Sequence, residues 1–165
     1  MKKETKVIIA AVAVCTVGGI AIATPILNLA SPVLSLGTDN SSIDERGEFQ
    51  TAGGAWFKVK LRTDGPSNIE TQEAAYTAGG VNGWHSHPGI VAVTLTAGSI
   101  EWFNEKCEPT TYKAGDSWVE GSQVHYFRNT GTVNVQLTAV YVIAKGEKAR
   151  IDQPAPACAA ASGLD

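Results

Sequence analysis

The segment at residues 79–98 decides the fold, and it reads Gly-Gly-Val-Asn-Gly-Trp-His-Ser-His-Pro-Gly-Ile-Val-Ala-Val-Thr-Leu-Thr-Ala-Gly. His85 and His87 are two residues apart, and in a β-strand such residues point to the same face. Two imidazoles roughly 6–7 Å apart on one face can bind one metal ion together. The alternation that follows, with Val91 and Val93, predicts a strand with one buried face.

Short β-type runs separated by turn residues surround this segment on both sides. We predict strands at residues 55–62, 68–76, 90–96, 99–104, 117–120, 124–129 and 133–143. The last alternates most clearly, with Val135 and Leu137 on one face and Gln136 and Thr138 on the other. No stretch after residue 24 predicts an amphipathic helix. Many short strands with glycine-rich turns favour an all-β sandwich or barrel.

The chain has only three histidines, and the third, His125, begins another predicted strand. If the sheet closes on itself, His125 can lie opposite His85 and His87. Three nitrogen ligands would leave coordination positions for water or a bound molecule. The alternative is that all three are ordinary polar residues near turns.

These histidines lie in segments that resemble the two sequence motifs of the cupin superfamily. The first motif places His-x-His and a glutamate between two glycines, matched here by Gly79, His85, His87 and Gly98. Val91 stands where that glutamate is usual.

The second motif is matched by Gly115, His125 and Asn129. It departs from the family pattern at Gly121, where proline is usual, and the interval from Gly115 to His125 is one residue short. The resemblance covers about residues 54–145 and is closest to small single-domain cupins of the type-2 kind.

The resemblance implies a double-stranded β-helix, the jelly-roll barrel of cupins, with a divalent metal ion inside. His85, His87 and His125 would be its ligands, and zinc, iron, manganese, nickel and copper all remain open. The cupin glutamate is usually a fourth ligand, which Val91 cannot replace. We therefore expect three histidines in a more apolar wall, with weaker metal binding or an anionic ligand that completes the shell. A cupin that keeps the histidines without metal is the alternative.

The residues around the motifs predict a ligand pocket beside the metal. Its candidate lining residues are Trp84, Val91, Val93, Gln123 and Phe127. By the same alternation, Tyr126 and Arg128 should face outward. Glu101, Glu105 and Glu120 lie near predicted strand ends, where solvated carboxylates are usual.

The chain divides into four predicted parts. Residues 1–23 join a basic head to an uncharged apolar run, which indicates a signal peptide or a membrane anchor. Residues 24–50 read as a linker, residues 51–152 as the cupin domain, and residues 153–165 as an irregular tail. Either interpretation of the first part predicts an extracytoplasmic location, whether secreted, periplasmic or anchored at the outer face of a membrane.

Cysteine and charge agree with export. Cys107 and Cys158 form an even pair after the apolar run, which predicts a disulfide that ties the tail to the body, with two free buried thiols as the alternative. The full chain has a net charge of −3. It has no cluster of Lys or Arg, which argues against nucleic-acid binding.

Three functions fit these observations. The first is an exported cupin that binds a metal and a small-molecule ligand. The second is a cupin metalloenzyme of the dioxygenase, isomerase or lyase type. The third is a structural or interaction domain without metal. The resemblance also implies a homodimer, and any membrane contact would be made through the N-terminal segment alone.

Overall fold

The computed structural model describes residues 32–164, which form two five-stranded sheets, one two-stranded hairpin and one short helix. The elements are β1 (Val33–Asp39), β2 (Asp44–Gln50), β3 (Trp56–Arg62), β4 (Ser67–Tyr76), β5 (His85–Ser86), β6 (Gly89–Ala97), β7 (Ser99–Asn104), β8 (Pro109–Lys113), β9 (Ser117–Glu120), β10 (His125–Arg128), β11 (Val135–Ala144), β12 (Ile151–Asp152) and α1 (Ala159–Ser162).

The two larger sheets have the strand orders β1-β4-β11-β6-β9 and β12-β5-β10-β7-β8. All of their pairings are antiparallel. This is the jelly-roll, double-stranded β-helix fold, so the predicted fold class is confirmed. Within residues 32–164 the two sheets are not joined into one hydrogen-bonded cylinder, which corrects the expectation of a fully closed barrel.

The main core lies along β6 and β11, where the alternation predicted from sequence holds. Val91, Val93 and Leu95 on β6 are buried while the residues between them are exposed. On β11, Val135 and Leu137 are buried in the same way. Period-two burial on paired strands therefore builds one continuous apolar layer, and it fixes which β6 residues point inward.

We predicted a linker at residues 24–50. Two strands, β1 and β2, lie within the described part of this segment, so it is not only a linker. β1 pairs with β4 at the edge of the first sheet, and β2 pairs with β3 in the hairpin. The strand β8 was not predicted, because Pro109 and a polar run conceal it. The predicted signal or anchor segment at residues 1–23 lies outside the described residues. From residue 32 to residue 164, no helix is long and apolar enough to cross a membrane.

A second, smaller core lies on the other face of β10, beneath the C-terminal segment. Trp84 and Tyr126 pack there with Ala159 and Leu164, and the Trp84 indole N–H donates to the Leu164 carbonyl over 2.9 Å. Tyr126 thus faces away from the histidine cluster, as predicted, but it is buried because the tail covers this face. The tail predicted to be irregular includes the helix α1 and is packed against the domain.

A disulfide between Cys107 and Cys158 fastens this tail to the loop after β7, with the two Cα atoms 6.1 Å apart. The residues it joins are 51 positions apart in sequence. A cross-link across a loop of that size is worth roughly 4 kcal/mol in the chain-entropy model, because it restricts the unfolded chain.

We predict that Cys158→Ser lowers the free energy of unfolding by about 2–4 kcal/mol, measured by chemical denaturation. Cys107→Ser should cost the same, because either substitution removes the same bond. A reductant should lower the free energy of unfolding of the wild type to that of the single variants. It should leave the variant with both substitutions unchanged. Unequal single variants, or a double variant that still responds to reductant, would contradict this explanation.

Gly89 is required where β6 passes β11. A Cβ added at Gly89 would lie 2.1 Å from the backbone oxygen of Val142 and 3.0 Å from the Cα of Ile143. Both obstacles are main-chain atoms of a central strand, so they cannot move aside without disturbing the sheet.

We predict that Gly89→Ala destabilises the protein by about 1–3 kcal/mol, the usual cost of overpacking. Gly37→Ala is the matched control, since Gly37 also lies in a strand but a Cβ there meets nothing within 4 Å. Chemical denaturation of the two variants checks this prediction. Equal stability of Gly89→Ala and Gly37→Ala would show that the strands can separate without cost.

Candidate metal centre

Four side chains converge inside the jelly roll: His85 on β5, His87 just after it, Glu120 at the end of β9 and His125 at the start of β10. All four are buried, His125 to 1% exposure and Glu120 to 8%. One ligand atom from each lies within 4.8 Å of the others. The structure thus brings the three predicted histidines together, and it adds a carboxylate that the sequence analysis did not select.

Glu120 lies directly across from Val91, the residue that stands at the glutamate position of the first motif. In the pairing of β6 with β9, Glu120 is the direct cross-strand partner of Val91. Facing residues on paired antiparallel strands present their side chains to the same side of the sheet. The carboxylate is therefore supplied from the neighbouring strand, and the expectation of a wall without a carboxylate is wrong.

The strand β9 shows how Glu120 could have been found from sequence. Its burial alternates, with Ser117 and Val119 exposed and Trp118 and Glu120 buried. The same period-two rule that was applied to β6 places Glu120 on the inward face with Trp118. The prediction of a solvated carboxylate gave more weight to the strand end than to this alternation.

Backbone carbonyls orient all three imidazoles. The Nδ1 atom lies 2.9 Å from the Gly83 oxygen in His85, 2.7 Å from the Ala149 oxygen in His87 and 2.9 Å from the Gln123 oxygen in His125. A carbonyl can only accept a hydrogen bond, so each Nδ1 must carry the proton. In the neutral rings this leaves the Nε2 lone pair free for a metal ion.

Glu120 is held by two indoles and faces two imidazoles. Trp118 and Trp102 donate from Nε1 to its Oε1 atom over 2.7 and 2.9 Å. Its Oε2 atom lies 3.2 Å from Nε2 of both His87 and His125. Because each Nδ1 already carries a proton, a second proton or a cation has to separate these nitrogens from the carboxylate.

The charges favour a cation at this point. Burial lowers the pKa of His85 well below its ordinary value, with further lowering from His125, so this ring is neutral at neutral pH. Burial alone would raise the pKa of Glu120. When the Nε2 atoms of His125 and His87 carry a second proton, the hydrogen bonds they donate outweigh burial and hold that pKa well below its usual range. The Nε2 atom of His125 is buried without a hydrogen-bond partner in the part of the chain that the structure describes. The cluster therefore fits a divalent metal ion.

A cavity of about 180 Å³ adjoins the cluster. Of the predicted lining residues, Val93 and Phe127 contact it, whereas Val91 is buried in the core behind it. Trp84 does not line it, because the indole lies in the second core. The side chain of Gln123 is exposed and does not reach the cluster; only its carbonyl contributes, through His125.

The cavity is also lined by residues that were not predicted to line it. They are Gln72, Ala74, Tyr76, Asn82, Trp118, Leu137, Ala139, Tyr141, Ala149 and Arg150. Tyr141 lies against His87, with ring centroids 5.7 Å apart. Burial raises the pKa of Tyr76 to about 12 and also raises that of Tyr141, so both hydroxyls stay protonated at neutral pH. The cavity is thus lined partly by apolar groups and partly by hydroxyl donors.

Comparison with known proteins agrees with this description. Residues 72–141 match the family model of the cupin domain, Cupin_2. The matched segment contains all four residues of the cluster. No curated protein is similar enough to this chain to give a match.

Several solved structures are similar to this chain at low sequence identity. An uncharacterised protein with a double-stranded β-helix domain from Klebsiella pneumoniae is 19% identical, with 70% of this chain and 88% of that chain covered and a TM-score of 0.45. A cupin domain from Bordetella pertussis is 15% identical, with 63% and 95% covered and a TM-score of 0.42. A cupin-like protein from Thermotoga maritima is 15% identical, with 53% and 65% covered and a TM-score of 0.46.

We predict that Glu120→Gln weakens metal binding at least about tenfold, because it removes the one negative charge of the cluster while keeping its shape. Competition against a chromogenic chelator measures the affinity. Glu101→Gln is the matched control, since Glu101 is paired with Arg128 and does not belong to the cluster. Wild-type affinity in Glu120→Gln would exclude the carboxylate as a ligand.

Proposed function

We propose that this chain is an exported cupin that binds one divalent transition-metal ion through His85, His87, Glu120 and His125. The ion holds a small-molecule ligand in the adjoining cavity. The observation that carries the proposal is the arrangement of Nε2 atoms around one carboxylate, with every Nδ1 occupied by a carbonyl. Three imidazoles and one carboxylate suit zinc, iron, manganese, nickel or copper.

Binding is favoured over catalysis by the groups that line the cavity. Among the described lining residues, the titratable groups outside the metal cluster are Tyr76, Tyr141 and Arg150. Burial keeps the two tyrosine hydroxyls protonated, and a guanidinium has only donors, so none of the three can act as a general base. A metalloenzyme remains the second candidate, because a bound metal ion can itself activate water or a ligand.

The disulfide supports the part of the proposal that concerns location. Disulfides persist in oxidising compartments and are rare in the cytosol. Cys107 and Cys158 are joined in the folded domain. Together with the basic and apolar pattern of residues 1–23, this is the basis for proposing export.

We predict that the full chain, purified without a histidine tag, contains about one equivalent of metal by elemental analysis. Replacing His85, His87 and His125 together by alanine should abolish the bound metal. In the wild type, metal loading should raise the melting temperature, because an ion that binds only the folded state stabilises it. Less than about a tenth of an equivalent after loading would reject the metal site and leave a metal-free binding or structural domain.

A further inference from the structure

Arg150 extends into the metal cavity from the C-terminal segment, just before β12, and its guanidinium is only partly satisfied. The Nε atom donates to the Asp152 carboxylate over 2.6 Å. The Nη2 atom is buried and has no hydrogen-bond partner among residues 32–164. Buried donors are nearly always paired in folded proteins, so an unpaired guanidinium nitrogen beside a cavity indicates that a ligand supplies the acceptor.

The guanidinium lies close to the metal cluster. Arg150 and His85 line the same cavity. Because the metal cluster and Arg150 both line this cavity, one small molecule can contact both of them.

The charges of the loaded cavity select an anion. A divalent ion with three neutral imidazoles and the Glu120 carboxylate keeps one positive charge, and Arg150 adds another. Asp152 bonds to the Nε atom of Arg150 and offsets part of this charge, but it does not line the cavity. Glu120 is the one carboxylate among the described residues that line the cavity. Tyr76 and Tyr141 also line the cavity, and their hydroxyls can donate to the same anion.

The shape of the cavity limits the size and kind of anion. A volume of about 180 Å³ corresponds to roughly six water molecules at about 30 Å³ each, so the ligand has only a few non-hydrogen atoms. The planar fork of a guanidinium matches the two oxygens of a carboxylate. Part of the cavity wall is apolar and is formed by Val93, Phe127 and Leu137. This wall suits a short carbon chain rather than a fully hydrated inorganic ion.

We propose that the cavity binds a small organic carboxylate, with one carboxylate group on the Arg150 guanidinium and an oxygen at the other end of the molecule on the metal ion. This inference rests on the proposed metal site and names the class of ligand that the site takes. Arg150 is then the group that selects an anion over a neutral molecule of the same size.

Malonate is a suitable probe, because it is a small dicarboxylate, and malonamide is its neutral counterpart of nearly the same shape. Isothermal titration of the zinc-loaded full chain should show binding of malonate and none of malonamide. Arg150→Gln should weaken malonate binding about ten- to hundredfold, as the loss of charge-assisted hydrogen bonds does. Arg150→Lys should give an intermediate affinity, because it keeps the charge and loses the fork.

Arg62→Gln is the matched control, because Arg62 also bonds to an aspartate two positions on, Asp64, but lies exposed on β3. This variant should bind malonate as the wild type does. Zinc affinity should stay within about threefold of wild type in both glutamine variants, since neither arginine is a metal ligand. Circular dichroism checks that each variant is folded, and Arg150→Lys serves as the test if Arg150→Gln is not.

The outcomes separate this inference from the proposed function. Failure to bind any of zinc, iron, manganese, nickel and copper would reject the metal site itself. Zinc binding with equal malonate affinity in wild type, Arg150→Gln and Arg150→Lys would overturn the role of Arg150 alone. Equal binding of malonate and malonamide, or tight binding of inorganic phosphate without malonate, would overturn the carboxylate class.

Discussion

A single buried carboxylate, that of Glu120, is the constraint on which the interior of this protein depends. An ionised carboxylate in an apolar core is costly unless every oxygen is compensated. Here the indoles of Trp118 and Trp102 satisfy one oxygen, and the imidazoles of His87 and His125 face the other. These four side chains come from three strands and one loop in two different sheets, so folding and assembly of the cluster are the same event.

The C-terminal segment completes the site rather than trailing from it. The carbonyl of Ala149 orients His87, Arg150 borders the cavity, and β12 pairs with β5, where Asp152 lies opposite His85. The bond from Cys107 to Cys158 holds this segment in place. A tail that would otherwise fray is thereby made part of a rigid binding site.

Local periodicity made much of the fold predictable from the sequence, and topology hid the rest. Alternating apolar residues located β4, β6, β7, β9, β10 and β11, and the three histidines stood on recognisable motif positions. Glu120 was missed because it lies at the end of a four-residue strand, where a solvated carboxylate is usual. Arg150 was missed for a different reason: its approach to His85 depends on β12 joining the sheet beside β5, which no local pattern reveals. The strands β1 and β2 were missed because most of their residues are exposed, so no buried face marks them.

The carbonyl partners of the histidines have an evolutionary consequence. Gln123 and Ala149 orient two imidazoles through main-chain oxygens, and any amino acid at those positions would supply the same acceptor. Substitutions there can accumulate through neutral drift while the ring tautomers stay fixed. Comparison of related sequences would then show variable side chains at two positions whose backbone performs a constant task.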